Sequence, residues 1–185
     1  WSSDVCSSDL FKKIPITFLN LLWIFVLIIL IIPINIKSKI SIQNYIPEIK
    51  EGIIEIKGIA RDPGDRSKIA LYSNDPKVDA IGSCVGENGS RIREIVNALG
   101  GEKVDLYKWS EEPEELIANS LQPASVTKVL SVDPKEKTSV VVVPDDHLSL
   151  AIGKAGQNVR LAVKSCGWKI DIMPTSEAFD KGLLI

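Results

Sequence analysis

The feature that most constrains this chain is a folding unit that occurs twice. Residues 85–93 match residues 152–160 without a gap, and the match extends to Gly100 in the first copy and Gly167 in the second. Each copy reads as an apolar residue, Gly-x-x-Gly, two polar residues and then apolar residues at helical spacing. A single Gly-x-x-Gly is common in turns, but two copies with the same flanks indicate a duplicated domain.

The patterns around the two loops predict an α+β fold, with a three-stranded sheet packed on helices in each copy. The predicted strands lie at 52–60, 67–72 and 103–109 in the first copy and at 126–132, 138–143 and 169–172 in the second. Helices are expected to end at Gly86 and Gly153 and to begin again after each loop. A helix with Ser110 as its N-cap opens the second copy, and no leading helix is recognisable in the first.

The duplicated unit divides the chain into domains. We predict a first domain at 46–109, a second domain at 110–173 and a carboxy-terminal extension at 174–185. The connection between the two domains, at Trp109 and Ser110, is very short. This favours a rigid pair over two domains on a flexible linker.

The composition excludes several classes of protein. The 22 Lys and Arg residues against 24 Asp and Glu residues give a net charge of −2, which excludes both a strongly basic nucleic-acid coat and an acidic disordered tail. The three cysteines are far apart and there is a single histidine, so neither a disulfide framework nor a zinc cluster is expected. We therefore predict a protein that is not an enzyme, with no catalytic residues, no metal site and no cofactor.

The first 45 residues differ from the rest of the chain. Residues 14–36 carry no charge, and as a helix they would extend about 34 Å, enough to cross a bilayer. However, Ala and Gly are absent between Phe11 and Pro47 although both are normally frequent in membrane helices, and residues 1–10 look like a translated sequencing adapter. We interpret residues 1–45 as an artefactual or foreign segment, with a genuine membrane anchor as the alternative.

The two Gly-x-x-Gly loops are the candidate binding sites. Glycine at both ends of a loop permits close backbone approach, and the helix that follows directs its N–H groups and its positive dipole end at the loop. This arrangement suits a sugar-phosphate backbone, with bases lying on aliphatic residues of the adjoining groove (Ile81 and Val85, or Leu148 and Ile152). The candidate contact residues are Gly86, Glu87, Asn88, Gly89, Ser90, Arg91 and Arg93 in the first copy and Gly153, Lys154, Ala155, Gly156, Gln157, Asn158 and Arg160 in the second.

Several sequence segments closely resemble one protein family. Residues 46–68, 73–76 and 143–154 are similar to the tandem KH region of the bacterial NusA family of transcription termination/antitermination factors. The resemblance extends over 46–173 and implies two tandem KH domains of the prokaryotic type (type II). Each KH domain clamps about four nucleotides of a single strand at its Gly-x-x-Gly loop.

The resemblance also implies a function and partners. It predicts binding of nascent single-stranded RNA in the cytoplasm and modulation of transcription pausing, termination and antitermination. It implies the RNA polymerase elongation complex as a partner, although the family's polymerase-binding domain is not recognisable in this sequence. Because Lys154 of the second loop replaces Glu87 of the first, we expect the second loop to attract phosphate more strongly.

Two other functions stay open on the sequence alone. If the 14–36 segment is genuine, the chain is a membrane-tethered KH RNA-binding protein, and the membrane is then a partner. Alternatively, the chain is a KH-fold module that binds proteins and has lost RNA binding. The charges of Arg91, Arg93 and Arg160 are also compatible with solvated helix surfaces.

Overall fold

The structure is a computed structural model that describes Ile42 and residues 45–183. The apolar segment predicted at 14–36 lies outside these residues. Within the part of the chain that is described, no helix has the length and apolar character needed to cross a membrane.

Within the described residues, the first domain contains three strands and three helices. They are α1 (Pro47–Lys50), β1 (Ile54–Asp62), β2 (Arg66–Ser73), α2 (Ala80–Val85), a 3-10 turn (Glu87–Gly89), α3 (Ser90–Ala98) and β3 (Lys103–Lys108). The sheet order is β1-β2-β3, with β1 and β2 antiparallel and β2 and β3 parallel. A parallel pair needs a crossover, and α2, the loop and α3 supply it. The loop therefore lies within the crossover that connects β2 to β3.

The second domain repeats this topology. Its elements are α4 (Pro113–Ser120), β4 (Lys128–Asp133), β5 (Thr138–Val143), a 3-10 turn (Asp145–His147), α5 (Leu148–Ile152), a 3-10 turn (Lys154–Gly156), α6 (Gln157–Cys166), β6 (Lys169–Pro174) and α7 (Thr175–Asp180). Strands β4 and β5 are antiparallel, and β5 and β6 are parallel. The predicted α+β architecture, with a three-stranded sheet packed on helices in each copy, is confirmed.

The first domain has a leading helix that the sequence pattern did not reveal. Helix α1 is only four residues long and begins at a proline, so it shows no helical periodicity. Ile42, Ile46 and Ile49 are buried in the core of this domain, at 2%, 0% and 8% exposure. Ile42 precedes the domain boundary predicted at position 46, and its burial places it with the first domain.

The predicted N-cap of the second domain's leading helix was wrong. Helix α4 begins at Pro113, with Glu112 in the N-cap position. Ser110 instead accepts a hydrogen bond from the Glu112 N–H and donates one to the Glu115 carboxylate. A proline at the first helical position has the backbone angle that a helix start requires, and this outweighs the preference of serine for the cap.

The two domains share a packed interface. Helix α6 lies across β1 and β2 of the first sheet, and the core of the second domain includes Ala70 and Tyr107 from the first. The Tyr107 hydroxyl donates to Ser165 Oγ at 2.9 Å. The fully buried Lys68 donates from Nζ to the carbonyl oxygens of Ser120 at 2.8 Å and Gln122 at 2.6 Å. Buried polar groups from both domains are thus satisfied only while the domains stay together.

Candidate nucleic-acid interface

The two Gly-x-x-Gly loops have the same backbone conformation. The first glycine has φ 73° and ψ 173° at Gly86, and φ 75° and ψ 173° at Gly153. The third residue of each loop is left-handed, with φ 52° at Asn88 and φ 50° at Ala155. The second glycines, Gly89 and Gly156, are also left-handed. The sequence repeat is therefore a repeat of structure at the site itself.

The first glycine of each loop is required by packing as well as by backbone angle. A Cβ atom at Gly153 would lie 2.7 Å from the backbone nitrogen of Asn158, and one at Gly86 would lie 2.8 Å from Cγ of Arg91. Around Gly156 there is open space within 4 Å. The first glycine lets the loop rest on the following helix, whereas the second mainly supplies the left-handed turn.

The middle residues of each loop are the exposed ones. Glu87 and Asn88 project from the first loop, and Lys154 and Ala155 project from the second, all four with exposed side chains. A ligand that approaches either loop meets these residues first.

The four basic side chains predicted to contact the ligand divide into two groups, one without an ion pair and one with its charge already engaged. Arg93 and Lys154 are exposed, and neither forms an ion pair with any other described residue. Arg91 donates to the Glu48 carboxylate at 2.9 Å and to the Ser83 carbonyl at 2.8 Å. Arg160 donates to Asp62 at 3.1 Å. Arg93 and Lys154 are thus available to a phosphate, and the other two are already engaged.

The carboxylates that hold these arginines are stabilised in their charged form. The hydrogen bond from Arg91 lowers the pKa of Glu48 below its usual value. Hydrogen bonds from Gln157 and Arg160 do the same for the pKa of Asp62. Both pairs are therefore ion pairs at neutral pH.

Two polar side chains predicted to contact the ligand form hydrogen bonds within the protein. Gln157 donates from Nε2 to Asp65 at 2.7 Å, which connects the second loop to the β1–β2 turn of the first domain. Asn158 is 3% exposed and donates from Nδ2 to the carbonyl oxygens of Leu121 and Ala151, both at 3.0 Å. These two side chains hold the loop in place.

Arg91 and Asn158 occupy the same position in the repeat and act in the same way. Each donates a hydrogen bond to the equivalent carbonyl oxygen in the helix before the loop, Ser83 at 2.8 Å and Leu150 at 3.4 Å. Each also reaches the leading segment of its domain, at Glu48 or at Leu121. The residue two positions after the second glycine is therefore an anchor for the loop.

An open cavity of about 710 Å³ lies beside the first loop. It is lined by Ile81, Val85, Ile92, Val104, Asp105, Leu106, Ala118, Asn119, Gln122, Pro123, Ala124, Ser125 and Val126. The two aliphatic residues predicted to form the floor of the first groove, Ile81 and Val85, are among them. The far wall comes from the second domain, which the sequence reading did not foresee. In the second copy, Leu148 is half-buried and Ile152 is 38% exposed.

The surroundings of the two loops differ in charge. A cavity of about 600 Å³ beside the first loop is lined by Glu48, Asp79 and Glu87, and also by Arg91, which pairs with Glu48. A smaller cavity of about 220 Å³ at the second loop is lined by Lys154 and by Arg66, which pairs with Asp105. The second loop is thus the more favourable for an anion.

The remaining chemically distinctive side chains have structural roles. His147 Nδ1 accepts a hydrogen bond from the Ser125 N–H at 3.0 Å. Burial raises the pKa of the Cys84 thiol to about 12, so it is protonated at neutral pH. Among the described residues, no cluster of His, Cys, Asp and Glu is arranged to hold a metal ion.

Comparison with known families gives the same two units. The family described as the NusA-like first KH domain matches residues 36–109, and the NusA-like second KH domain matches residues 113–180. The chain belongs to the NusA family. The predicted resemblance and the tandem KH architecture are thus confirmed, while the boundaries at 46, 110 and 174 stay predictions.

Curated relatives agree with this assignment. The transcription termination/antitermination protein NusA of Halalkalibacterium halodurans is 56% identical over 139 residues, which is 75% of this chain and 36% of that protein. The NusA proteins of Bacillus subtilis and Thermus thermophilus are 52% and 51% identical, over 75% and 70% of this chain and 37% and 33% of theirs. The chain spans about a third of the length of these NusA relatives.

The fold is also similar to a solved structure. The crystal structure of APE1850 superposes with a TM-score of 0.50 and 21% sequence identity, over 70% of this chain and 96% of that one. At this identity the similarity concerns the fold alone.

Proposed function

We propose that this NusA-family chain binds single-stranded RNA through its two Gly-x-x-Gly loops. The observation that carries the proposal is the pair of loops with matching backbone angles, the first of them beside a cavity with mainly aliphatic walls. The sugar-phosphate backbone lies over each loop and the helix that follows it, and the bases lie in the groove. The role is one of binding, without catalysis.

The two loops contribute unequally. Lys154 in the second loop is exposed and forms no ion pair with another described residue, and Arg66, which pairs with Asp105, lines the same small cavity. In the first loop the corresponding exposed residue is Glu87, with Glu48 and Asp79 nearby. Phosphate is therefore held more strongly at the second loop, while the first loop contributes mainly through its apolar groove.

The wider role follows from the relatives. Their name is transcription termination/antitermination protein NusA, so we propose that the chain acts on nascent RNA in the regulation of pausing, termination and antitermination in the cytoplasm. The RNA polymerase elongation complex is the proposed partner. Both proposals concern the whole factor, of which this chain matches about a third.

The test places negative charge on the exposed middle of both loops. The variant Asn88→Asp, Lys154→Asp, Ala155→Asp leaves the glycines in place, since a side chain at Gly153 would strike Asn158 and confuse a binding defect with a folding defect. Aspartate also tolerates the left-handed backbone at positions 88 and 155. We expect at least a tenfold loss of affinity for a randomised 12-nucleotide RNA pool in a fluorescence anisotropy titration.

The control makes the same substitutions elsewhere. Asn97→Asp, Lys77→Asp, Ala98→Asp changes the net charge by the same amount at three exposed positions that line none of the loop cavities. It should retain affinity within about twofold. Equal weakening by both variants would show that net charge, and not the loops, governs binding.

A further inference from the structure

The first groove is completed by the second domain. Ala118, Asn119 and residues 122–126, from the end of α4 and the segment leading to β4, form one wall of the 710 Å³ cavity. The opposite wall comes from α2, α3 and β3 of the first domain. A base that enters this groove therefore meets side chains from both domains.

Most polar side chains in this cavity are already engaged. Asp105 forms an ion pair with Arg66 at 3.1 Å. The Asn119 amide nitrogen donates to the Lys108 carbonyl oxygen at 3.2 Å. The Ser125 hydroxyl lies 2.6 Å from His147 Nδ1. Each of these three side chains is thus held by a partner within the protein, and the remaining walls are mainly aliphatic.

Gln122 is the exception. Its backbone is fixed, because its carbonyl oxygen accepts from the buried Lys68 at 2.6 Å and its N–H donates to Asn119 at 3.2 Å. Its side chain is exposed and lines the cavity, and the side-chain amide forms no hydrogen bond with any residue that the structure describes. A donor and an acceptor are thus presented together from a fixed backbone.

We propose that Gln122 of the second domain reads the base in the groove of the first domain, and that the preferred base is adenine. A glutamine amide forms two hydrogen bonds with adenine, one to its amino group and one to the adjacent ring nitrogen. The aliphatic walls hold the base faces, and Gln122 reads the edge. This inference rests on the proposed RNA binding and adds a specificity-determining residue to it.

The experiment changes the RNA and the protein in turn: purine riboside removes the amino group of adenine, and Gln122→Leu removes both hydrogen bonds of the side-chain amide. Affinities are measured for a 12-nucleotide oligo(A) and for the same oligonucleotide built from purine riboside, which lacks the amino group. We expect the wild-type chain to bind oligo(A) about tenfold more tightly than the purine oligonucleotide. The Gln122→Leu variant should bind the two within twofold of each other, and its affinity for the purine oligonucleotide should be lower than that of the wild type, because the hydrogen bond to the ring nitrogen is lost as well.

The control and the contrary outcomes separate this inference from the function on which it rests. Asn97→Leu replaces an exposed amide that does not line the cavity, and it should keep the wild-type ratio. A Gln122→Leu variant that also keeps the ratio, or a wild-type ratio near one, overturns the role of Gln122 while RNA binding stands. A wild-type chain that binds neither oligonucleotide contradicts both proposals.

Discussion

Gly58 in β1 lies directly against the carbonyl oxygen of Ser165 in α6, so closely that even a methyl group at position 58 has no space. The neighbour is backbone and cannot rotate away. The strand has a register irregularity between Ile56 and Gly58, which is where a glycine in a strand is expected. This contact fixes how closely the second domain approaches the first sheet.

Replacement of Gly58 by alanine should therefore destabilise the pair of domains. Because the added methyl group meets a backbone carbonyl, we expect Gly58→Ala to lower the free energy of unfolding by about 3 kcal/mol, as measured by urea denaturation. Gly64→Ala is the control. Its methyl group has open space but a left-handed φ of 80°, so a loss of only about 1 kcal/mol is expected. Equal losses in the two variants would contradict the close contact.

The buried Lys68 should make the free energy of unfolding depend on pH. Burial lowers the pKa of its ammonium group to about 8, from an ordinary value of 10.5. Between these values the unfolded chain binds the proton more tightly than the folded chain, so folding becomes more favourable as the pH rises. From pH 8 to pH 10.5 the wild type should gain up to about 3 kcal/mol over Lys68→Met.

The measurement compares urea denaturation at pH 7, 8, 9, 10 and 10.5 for the two proteins. Titrations common to both, such as that of the buried Cys84 thiol, cancel in the difference. Lys77→Met makes the same change at an exposed position, and it is the control for the substitution itself. A difference between wild type and Lys68→Met that does not change with pH would contradict the effect of burial on the Lys68 ammonium group.

The salt dependence of RNA binding should distinguish the free basic side chains from the paired ones. Each phosphate contact to a single strand adds about 0.7 to the slope of log affinity against log salt concentration. Lys154→Gln should reduce the slope by about this amount. Arg160→Gln should leave it unchanged, because Arg160 is already paired with Asp62. Equal effects of the two substitutions on the slope would show that Arg160 leaves Asp62 when RNA binds.

The duplicated loops and the sheets around them were predictable because their signals are local. Glycine spacing, strand alternation and helix stops all lie within a few residues of one another, and the repeat confirmed each by a second copy. Local signals of this kind could not distinguish Arg93 and Lys154, which have no ion pair among the described residues, from the paired Arg91 and Arg160. Whether Arg160 is free depends on Asp62, which lies 98 positions away in the other domain.

The contacts between the domains escaped sequence analysis for the same reason. A lysine within a strand normally indicates a solvated face, yet Lys68 is fully buried because carbonyl oxygens from the second domain receive it. Gly58 interrupting an alternating strand was the one available signal, since such a glycine marks close backbone approach. A glycine signal of this kind does not show which segment, here α6, approaches the strand. The leading helix α1 escaped because four residues carry no periodicity.

Asn158 provides a test of how the second loop is held. Its amide nitrogen satisfies the buried carbonyl oxygens of Leu121 and Ala151, whereas its own Oδ1 is buried without a hydrogen-bond partner among the described residues. Asn158→Leu removes both hydrogen bonds and one unsatisfied oxygen, while the Leu121 oxygen still accepts from the Ala124 N–H at 3.1 Å, so we expect a net loss of about 1 kcal/mol in urea denaturation. At the exposed Asn97, the control substitution Asn97→Leu should change stability by less than about 0.5 kcal/mol.

Amide hydrogen exchange locates the effect. If exchange at residues 153–156 is faster in Asn158→Leu but not in Asn97→Leu, the loss of stability lies in the loop. Unchanged exchange there would show that the loop keeps its conformation without this anchor.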